Sequence, residues 1–148
     1  MQIKTTISVS APVKEVFKAF SDLSKAADLI EGIQEIEVLE GPAMMAVGTK
    51  WRETREMFGK TATEVMWVTE LEVNKRYIVE AQSHGTTYRS EYVFKEKDGD
   101  TVVEMVFAGT PVSLVSKILG TLMFPLFAGA TKNALYQDMA DLKKHLEG

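Results

Sequence analysis

The chain opens with a strict alternation of apolar and polar positions. One side of the first nine residues carries Ile3, Thr5, Ile7 and Val9, and more polar residues stand between them. A period of two residues is typical of a strand with one buried face. The pattern therefore predicts an opening strand that packs one face on a core.

Two short helices are predicted after this strand. Apolar residues from Val13 to Phe20 recur at helical spacing. Ser10 is placed to cap this helix, and Pro12 is tolerated in a first helical turn. Asp22 is placed to cap a second helix, which reaches about residue 30 before Gly32 ends it.

The middle of the chain predicts six strands and the tail predicts a helix. The strands are expected near 36–38, 48–58, 61–73, 76–83, 86–97 and 101–108, separated by turn residues such as Gly59-Lys60, Asn74-Lys75 and Asp98-Gly99. Apolar residues then recur at Leu135, Met139, Leu142 and Leu146. These predict a helix over about 132–146, so the element order is strand, two helices, six strands, helix.

This order and three local stretches resemble the START-like superfamily, also called SRPBCC, which has the birch-pollen-allergen fold. The stretches are residues 7–17 (ISVSAPVKEVF), residues 47–53 (VGTKWRE) and the tail from Ala134 to Lys143. The resemblance extends over essentially the whole chain and is nearest to the polyketide cyclase/dehydrase and lipid-transfer family. It implies one α+β domain over 1–148. It also implies a helix-grip fold, in which a curved antiparallel sheet of about seven strands surrounds the long C-terminal helix and leaves a cavity.

Two hairpins assign faces of the sheet without the family. A turn at Asp98-Gly99 pairs Phe94 with Val103, Tyr92 with Met105 and Ser90 with Phe107, which gives an apolar inward face. A turn at Gly59-Lys60 pairs Arg55 with Glu64, Glu53 with Met66 and Trp51 with Val68. The alternative turn at Phe58-Gly59 would set Glu53 against Glu64. Like charges directly opposite are unfavourable, so we predict the first register.

The inward faces define the candidate ligand-binding residues. They are Trp51, Glu53, Arg55, Glu64, Met66, Tyr88, Tyr92, Met105 and Phe107. An arginine between two carboxylates would anchor a ligand's carbonyl or hydroxyl group. The other interpretation is a cross-strand salt bridge near a wet strand end. Tyrosines in strands also pack well without any ligand, and methionine suits both a cavity and an ordinary core.

Composition and motifs remove several classes of function. The chain has no cysteine, which excludes disulfides and thiol chemistry. Its net charge of −4 argues against a nucleic-acid partner. The two histidines, His84 and His145, have no neighbour at metal-ligand spacing. His84 is either a general base at the cavity rim or merely exposed. We predict no metal and no cofactor, and the catalytic residues, if any exist, are unknown.

An apolar segment lies between the strands and the tail. Residues 112–130 carry only Lys117 as a charge and are interrupted by Gly120, Pro125 and Gly129. We predict a helix kinked at Pro125 that covers the cavity mouth. Alternatives are peripheral contact with a membrane or a partner and, less favoured by the sequence, a membrane span. No apolar signal core follows the N-terminus, so we expect a cytoplasmic protein.

Three functional hypotheses follow. The leading one is binding of a hydrophobic small molecule, namely a lipid, a polyketide-like compound or an aromatic ligand, in the cavity. The second is a cyclase or dehydratase, for which Glu53, Arg55 and Glu64 with Tyr88 or Tyr92 are the acid–base candidates. The third is a protein-interaction module on the same fold. The sequence makes no prediction of ligand identity, pathway or oligomeric state.

Overall fold

A computed structural model describes residues 2–57, 59–83, 85–111 and 114–148, with side chains described outside 57, 111 and 114–127. His84, the rim histidine considered above, lies outside the described residues. The elements are β1 (Gln2–Val9), α1 (Val13–Ser21), α2 (Leu23–Leu29), β2 (Ile33–Glu40), β3 (Lys50–Met57), β4 (Lys60–Glu72), β5 (Arg76–Ser83), β6 (Thr86–Lys97), β7 (Asp100–Pro111) and α3 (Leu114–Glu147). The order of elements predicted from the sequence is confirmed.

The strands form one curved antiparallel sheet with the order β1-β7-β6-β5-β4-β3-β2. From β2 to β7, strands that follow one another in sequence are neighbours in the sheet. The first strand, β1, pairs with β7 and lies at the edge opposite β2. The helix α3 packs on β1 and β7, and α1 and α2 complete the enclosure. This is the α+β helix-grip architecture that the family resemblance implied.

The first strand and the second short helix match the predicted patterns. Residues 3, 5, 7 and 9 of β1 are buried, and those between them are exposed. The Asp22 side chain accepts a hydrogen bond from the Ser24 N–H at 3.0 Å, which caps α2. Both features follow from local pattern alone, since alternation and capping need no distant partner.

The predicted cap of the first helix is wrong. Pro12, with an extended backbone, occupies the N-cap position of α1, and no side chain caps the helix. The Pro12 carbonyl accepts hydrogen bonds from the N–H groups of Glu15 and Val16. Ser10 lies two residues further out, where its N–H donates to Glu147 Oε2 at 2.7 Å. The segment from 10 to 12 is thereby held by the end of α3.

The predicted register of the β6–β7 hairpin is confirmed. Phe94 pairs with Val103, Tyr92 with Met105 and Ser90 with Phe107. Asp98 and Gly99 both have positive φ, of 52° and 85°. A two-residue turn with two positive φ angles suits the right-handed twist of the strands, and Asp-Gly is a favoured pair for it.

The predicted register of the β3–β4 hairpin is wrong by two pairing positions. Trp51 pairs with Met66, Glu53 with Glu64 and Arg55 with Ala62, so Met57 pairs with Lys60 across the turn. The turn therefore lies between Met57 and Lys60, and Gly59 has φ of 77°. Glycine adopts such an angle without strain, and this placement uses it. Because the shift is even, every side chain stays on its predicted face.

The last helix is longer than predicted. It begins at Leu114 instead of about residue 132 and runs without interruption to Glu147. Met139 and Leu142 are buried as predicted, whereas Leu135 is only partly buried. The side chains of 112–127, predicted to cover the cavity mouth, lie outside the described residues. In the part of the chain that the structure describes, no helix is both long and apolar enough to cross a membrane.

Candidate functional site

A cavity of about 440 Å³ lies between the concave face of the sheet, α2 and α3. Its wall includes all nine candidate residues named from the sequence. It also includes residues that were not among these candidates, such as Tyr77 and Asp138. Pairing of the strands thus brings the nine predicted residues together, and their role in binding a ligand stays a prediction.

Strand alternation directs the charged residues of β3 to opposite faces. Trp51, Glu53 and Arg55 lie on the cavity side. Arg52, between them, points outward and pairs with Glu37 at 2.8 Å, where both side chains are about half exposed. One short strand therefore carries a surface ion pair and an interior one, and only the alternation of side chains separates them.

Arg55 is the centre of the interior cluster. Its Nε donates to Glu53 Oε2 at 3.1 Å, and its Nη2 donates to Asp138 Oδ2 at 2.8 Å. The side chains of Arg55, Glu53 and Asp138 are 15%, 10% and 19% exposed. Trp51 Nε1 donates to the other Glu53 oxygen at 3.2 Å. The guanidinium is thus held by two carboxylates from different elements, as a largely buried arginine requires.

Asp138 is the member of the polar cluster that sequence reasoning missed. It belongs to α3, and it replaces Glu64 as the second carboxylate on Arg55. Its position was nevertheless marked in the sequence. Leu135, Asp138, Met139 and Leu142 follow the i, i+3, i+4, i+7 pattern of one helix face, so an acid stands within an apolar stripe. A carboxylate on such a face needs a buried cation.

The connection between α2 and β2 covers this ion pair. A Cβ added to Gly32 would lie 3.6 Å from Asp138 Oδ1 and 3.8 Å from Arg55 Nη1. The neighbouring Glu31 N–H donates to Asp141 Oδ2 at 3.0 Å, one turn further along α3. The backbone at residues 31–32 thus lies close to the Arg55–Asp138 pair.

Glu64 differs from the other acids of the cavity. It lies directly across from Glu53 in the β3–β4 ladder and is partly buried. Within the described ranges, Glu64 has no ion pair and no hydrogen bond from another side chain or from the backbone outside the ladder. The prediction that Arg55 bridges Glu53 and Glu64 is therefore wrong in its second half. The cross-strand pair that the sequence argument tried to avoid is present, and Arg55 neutralises Glu53 from the same strand.

Burial and charge shift the pKa values of the cluster. Burial alone lowers the pKa of Arg55, but the carboxylates of Asp138 and Glu53 outweigh that effect and raise it above its usual value. Burial raises the pKa of Asp138, and the nearby guanidinium only partly offsets the change. Arg55 therefore stays charged, while Asp138 holds a proton more readily than an exposed aspartate.

Aromatic side chains form the wall next to the cluster. The Tyr77 and Tyr92 rings stack with centroids 4.8 Å apart, and the Tyr77 hydroxyl donates to the Phe20 carbonyl at 3.3 Å. Tyr88 stacks on Phe107 at 5.5 Å. Burial raises the pKa of both Tyr77 and Tyr92, and the Glu53 carboxylate adds to the effect on each. Both phenols therefore remain neutral and able to donate hydrogen bonds.

In the ranges given above, no three His, Cys, Asp or Glu side chains are arranged to hold a metal ion. His145 is exposed in the last turn of α3, away from the cavity wall. The polar side chains of the described cavity therefore offer one guanidinium, several carboxylates, and the hydroxyls of tyrosines, Ser90 and Thr131.

A seven-stranded sheet that grips a long C-terminal helix around a cavity defines a START-like, helix-grip protein. The chain belongs to the family described as "Polyketide cyclase / dehydrase and lipid transport", whose model matches residues 1–147. No curated protein matches the chain in a sequence search.

Solved structures share the fold at low sequence identity. TTHA0849 from Thermus thermophilus is 16% identical with a TM-score of 0.81, over 99% of this chain and 97% of that one. The Zhui aromatase/cyclase from Streptomyces sp. R1128 is 14% identical with a TM-score of 0.77, over 99% and 93%. Ara h 8.0201 is 15% identical with a TM-score of 0.74, over 99% and 97%. At these identities the similarity shows the fold alone.

Proposed function

We propose that this protein binds a small hydrophobic molecule, of the lipid, polyketide-like or aromatic class, in the cavity between the sheet and α3. The observation that carries the proposal is a cavity of about 440 Å³ with an apolar wall and one polar cluster. Small-molecule sites typically have volumes of about 300–1,000 Å³, apolar walls and a few placed polar groups. A protein without a ligand would gain stability by filling this space with side chains.

The apolar wall supports a ligand of adaptable shape. Met66, Met105 and Met139 contribute to it from two strands and the last helix. A thioether side chain adjusts to irregular surfaces at low energetic cost. Rings from Tyr77, Tyr92 and Phe107 add flat surfaces on which an aromatic or conjugated ligand could stack.

The polar cluster supports a defined orientation for the ligand. The Arg55 guanidinium lies between Glu53 and Asp138 on one part of the wall. The part of the wall formed by Ile3, Phe20 and Val79 is apolar. A ligand with one polar end would place that end at the cluster, because a buried polar group needs a hydrogen-bond partner.

Displacement of a neutral fluorescent dye tests the proposal. A solvatochromic naphthalene ketone such as prodan should bind the folded protein with a blue-shifted emission that saturates. Decan-1-ol should then compete for the same site. Folded protein that shows no saturable and displaceable dye signal would contradict the proposal, and cooperative unfolding in urea is the control for a native sample.

Catalysis by a cyclase or dehydratase mechanism is a second candidate function. The observation that favours it is a carboxylate of raised pKa, Asp138, beside a neutral phenol, Tyr92, on one cavity wall. Such groups can exchange protons with a poly-carbonyl chain. Incubation with a model polyketone, followed by mass spectrometry, distinguishes an enzyme from a carrier. Loss of water would support an enzyme, and recovery of unchanged ligand would support a carrier.

A further inference from the structure

We infer that the cavity takes apolar molecules whose polar end donates hydrogen bonds and carries no negative charge, namely alcohols, phenols or amines, and that it rejects carboxylates. The inference rests on the proposed function, since it presupposes that the cavity holds a ligand. It goes beyond that proposal because it sets the chemistry of the polar end, which separates fatty alcohols and amines from free fatty acids.

The charge of the cavity wall disfavours a carboxylate. The carboxylates of Glu53, Glu64 and Asp138 face the cavity from β3, β4 and α3. Among the described lining residues, Arg55 is the one cation. Glu80 also borders the cavity, but its side chain alternates to the opposite face of β5 from Val79 and Ala81. It therefore does not belong to the acids at the polar end of the cavity. The polar end of the cavity is formally negative.

Two carboxylates are already paired with Arg55. Its Nε is used by Glu53 and its Nη2 by Asp138. Its Nη1 lies near Gly32 and has no hydrogen-bond partner among the described residues. A carboxylate that approached Arg55 would meet both anions already paired with it at close range. Desolvating a third anion beside a single cation is unfavourable.

The acceptor capacity of Glu64 favours a ligand that donates hydrogen bonds. Its carboxylate lies across from Glu53 and, within the described chain, is paired with no cation. Like charges in directly opposed positions destabilise a ladder. A hydroxyl or ammonium group between these two acids would donate to them and reduce their repulsion. An ionised acid would increase it.

A set of three ligands with the same chain tests the inference. Decan-1-ol, decylamine and decanoate each contain ten carbon atoms. At neutral pH their polar groups differ in charge and in the number of hydrogen bonds that they can donate. Each is titrated against protein loaded with prodan. We expect the alcohol and the amine to displace the dye, and decanoate to bind at least about tenfold more weakly than the alcohol.

A matched pair of variants assigns the effect to Glu64. Glu64→Gln and Glu56→Gln each remove one negative charge, but Glu56 is exposed on the outward face of β3. We expect Glu64→Gln to strengthen decanoate binding about fivefold or more relative to the alcohol, and Glu56→Gln to leave the ratio unchanged. Urea unfolding of both variants confirms that they are native before titration.

The outcomes separate the inference from the proposed function. Decanoate competing as well as the alcohol in wild type would overturn the inference and leave the proposed function standing. An equal change of the decanoate-to-alcohol ratio in both variants would also overturn it, since the effect would then come from net charge and not from the cavity. Failure of all three compounds to displace the dye would overturn the inference together with ligand binding of this class.

Discussion

Arg52 and Arg55 lie three residues apart in one strand, and their surroundings differ completely. Arg52 is 44% exposed and pairs with one exposed glutamate, whereas Arg55 is 15% exposed and pairs with two largely buried acids. Exposed ion pairs contribute little to stability because water already solvates both partners. Removal of one member of a buried cluster leaves the others as uncompensated charges.

Arg55→Met should therefore be strongly destabilising. We expect a loss of about 3–5 kcal/mol in the free energy of unfolding, because Glu53 and Asp138 would remain buried without a cation. The measurement is urea denaturation at neutral pH. Arg52→Met is the matched control and should cost about 0–1 kcal/mol. Equal small losses in both variants would contradict the buried cluster.

Asp138 should impose a pH dependence on stability. Its folded-state pKa is raised, so between about pH 4, the usual carboxyl pKa, and the raised value the folded protein keeps a proton that the unfolded chain has lost. The contribution of Asp138 to stability is therefore largest at low pH and falls as the pH rises through this window. Urea denaturation from pH 4 to 7 measures it.

Asp138→Asn should remove that part of the slope, so the stability of wild type relative to the variant should decline as the pH rises. Asp28→Asn, at an exposed position of α2, is the control and should leave the slope as in wild type. A relative stability that grows with pH would show that Arg55 dominates the titration of Asp138 and that burial does not.

Among the elements, the two hairpins show where sequence reasoning succeeds. In β6–β7 the turn residues Asp98 and Gly99 determine the register by themselves, and the prediction was confirmed. In β3–β4 the turn signal was weaker, and the choice depended on avoiding two opposed glutamates. That argument assumed that the hairpin must neutralise its own charges. Arg55 instead pairs with Glu53 on its own strand and with Asp138 on α3, more than eighty residues away, and no local rule anticipates the second contact.

The helix α3 carries the strongest test of packing. Met139 is 1% exposed at the centre of its inward face. Met139→Ala should cost about 2–5 kcal/mol, because it deletes contacts and enlarges the cavity. Tyr136→Ala is the control on the same helix, where the side chain is 44% exposed, and should change stability by about 0.5 kcal/mol or less. Equal effects would mean that this face of the helix is not core.

For the whole molecule, the fold was more predictable than the site. Alternation and helical spacing are repeated over many residues, so the order of elements and the inward faces could be derived from the chain itself. The polar cluster depends on single contacts between β3 and α3, and its third member, Asp138, was recognisable only as an acid in the apolar stripe around Leu135 and Met139. The family match shows the architecture of the protein. It does not determine which residues form the polar end of the cavity, because members of one fold differ in their sites.

The central claim is that the space between sheet and helix is a binding site, and two neighbouring substitutions test it most directly. Ala81 lines the cavity and is buried, whereas Gln82 is exposed on the opposite face of β5. We expect Ala81→Phe to fill part of the cavity and weaken prodan and decan-1-ol binding about tenfold or more, while Gln82→Phe leaves binding unchanged. Both variants should unfold cooperatively in urea. Unchanged binding in folded Ala81→Phe, or equal losses in both variants, would place the ligand elsewhere and contradict the account.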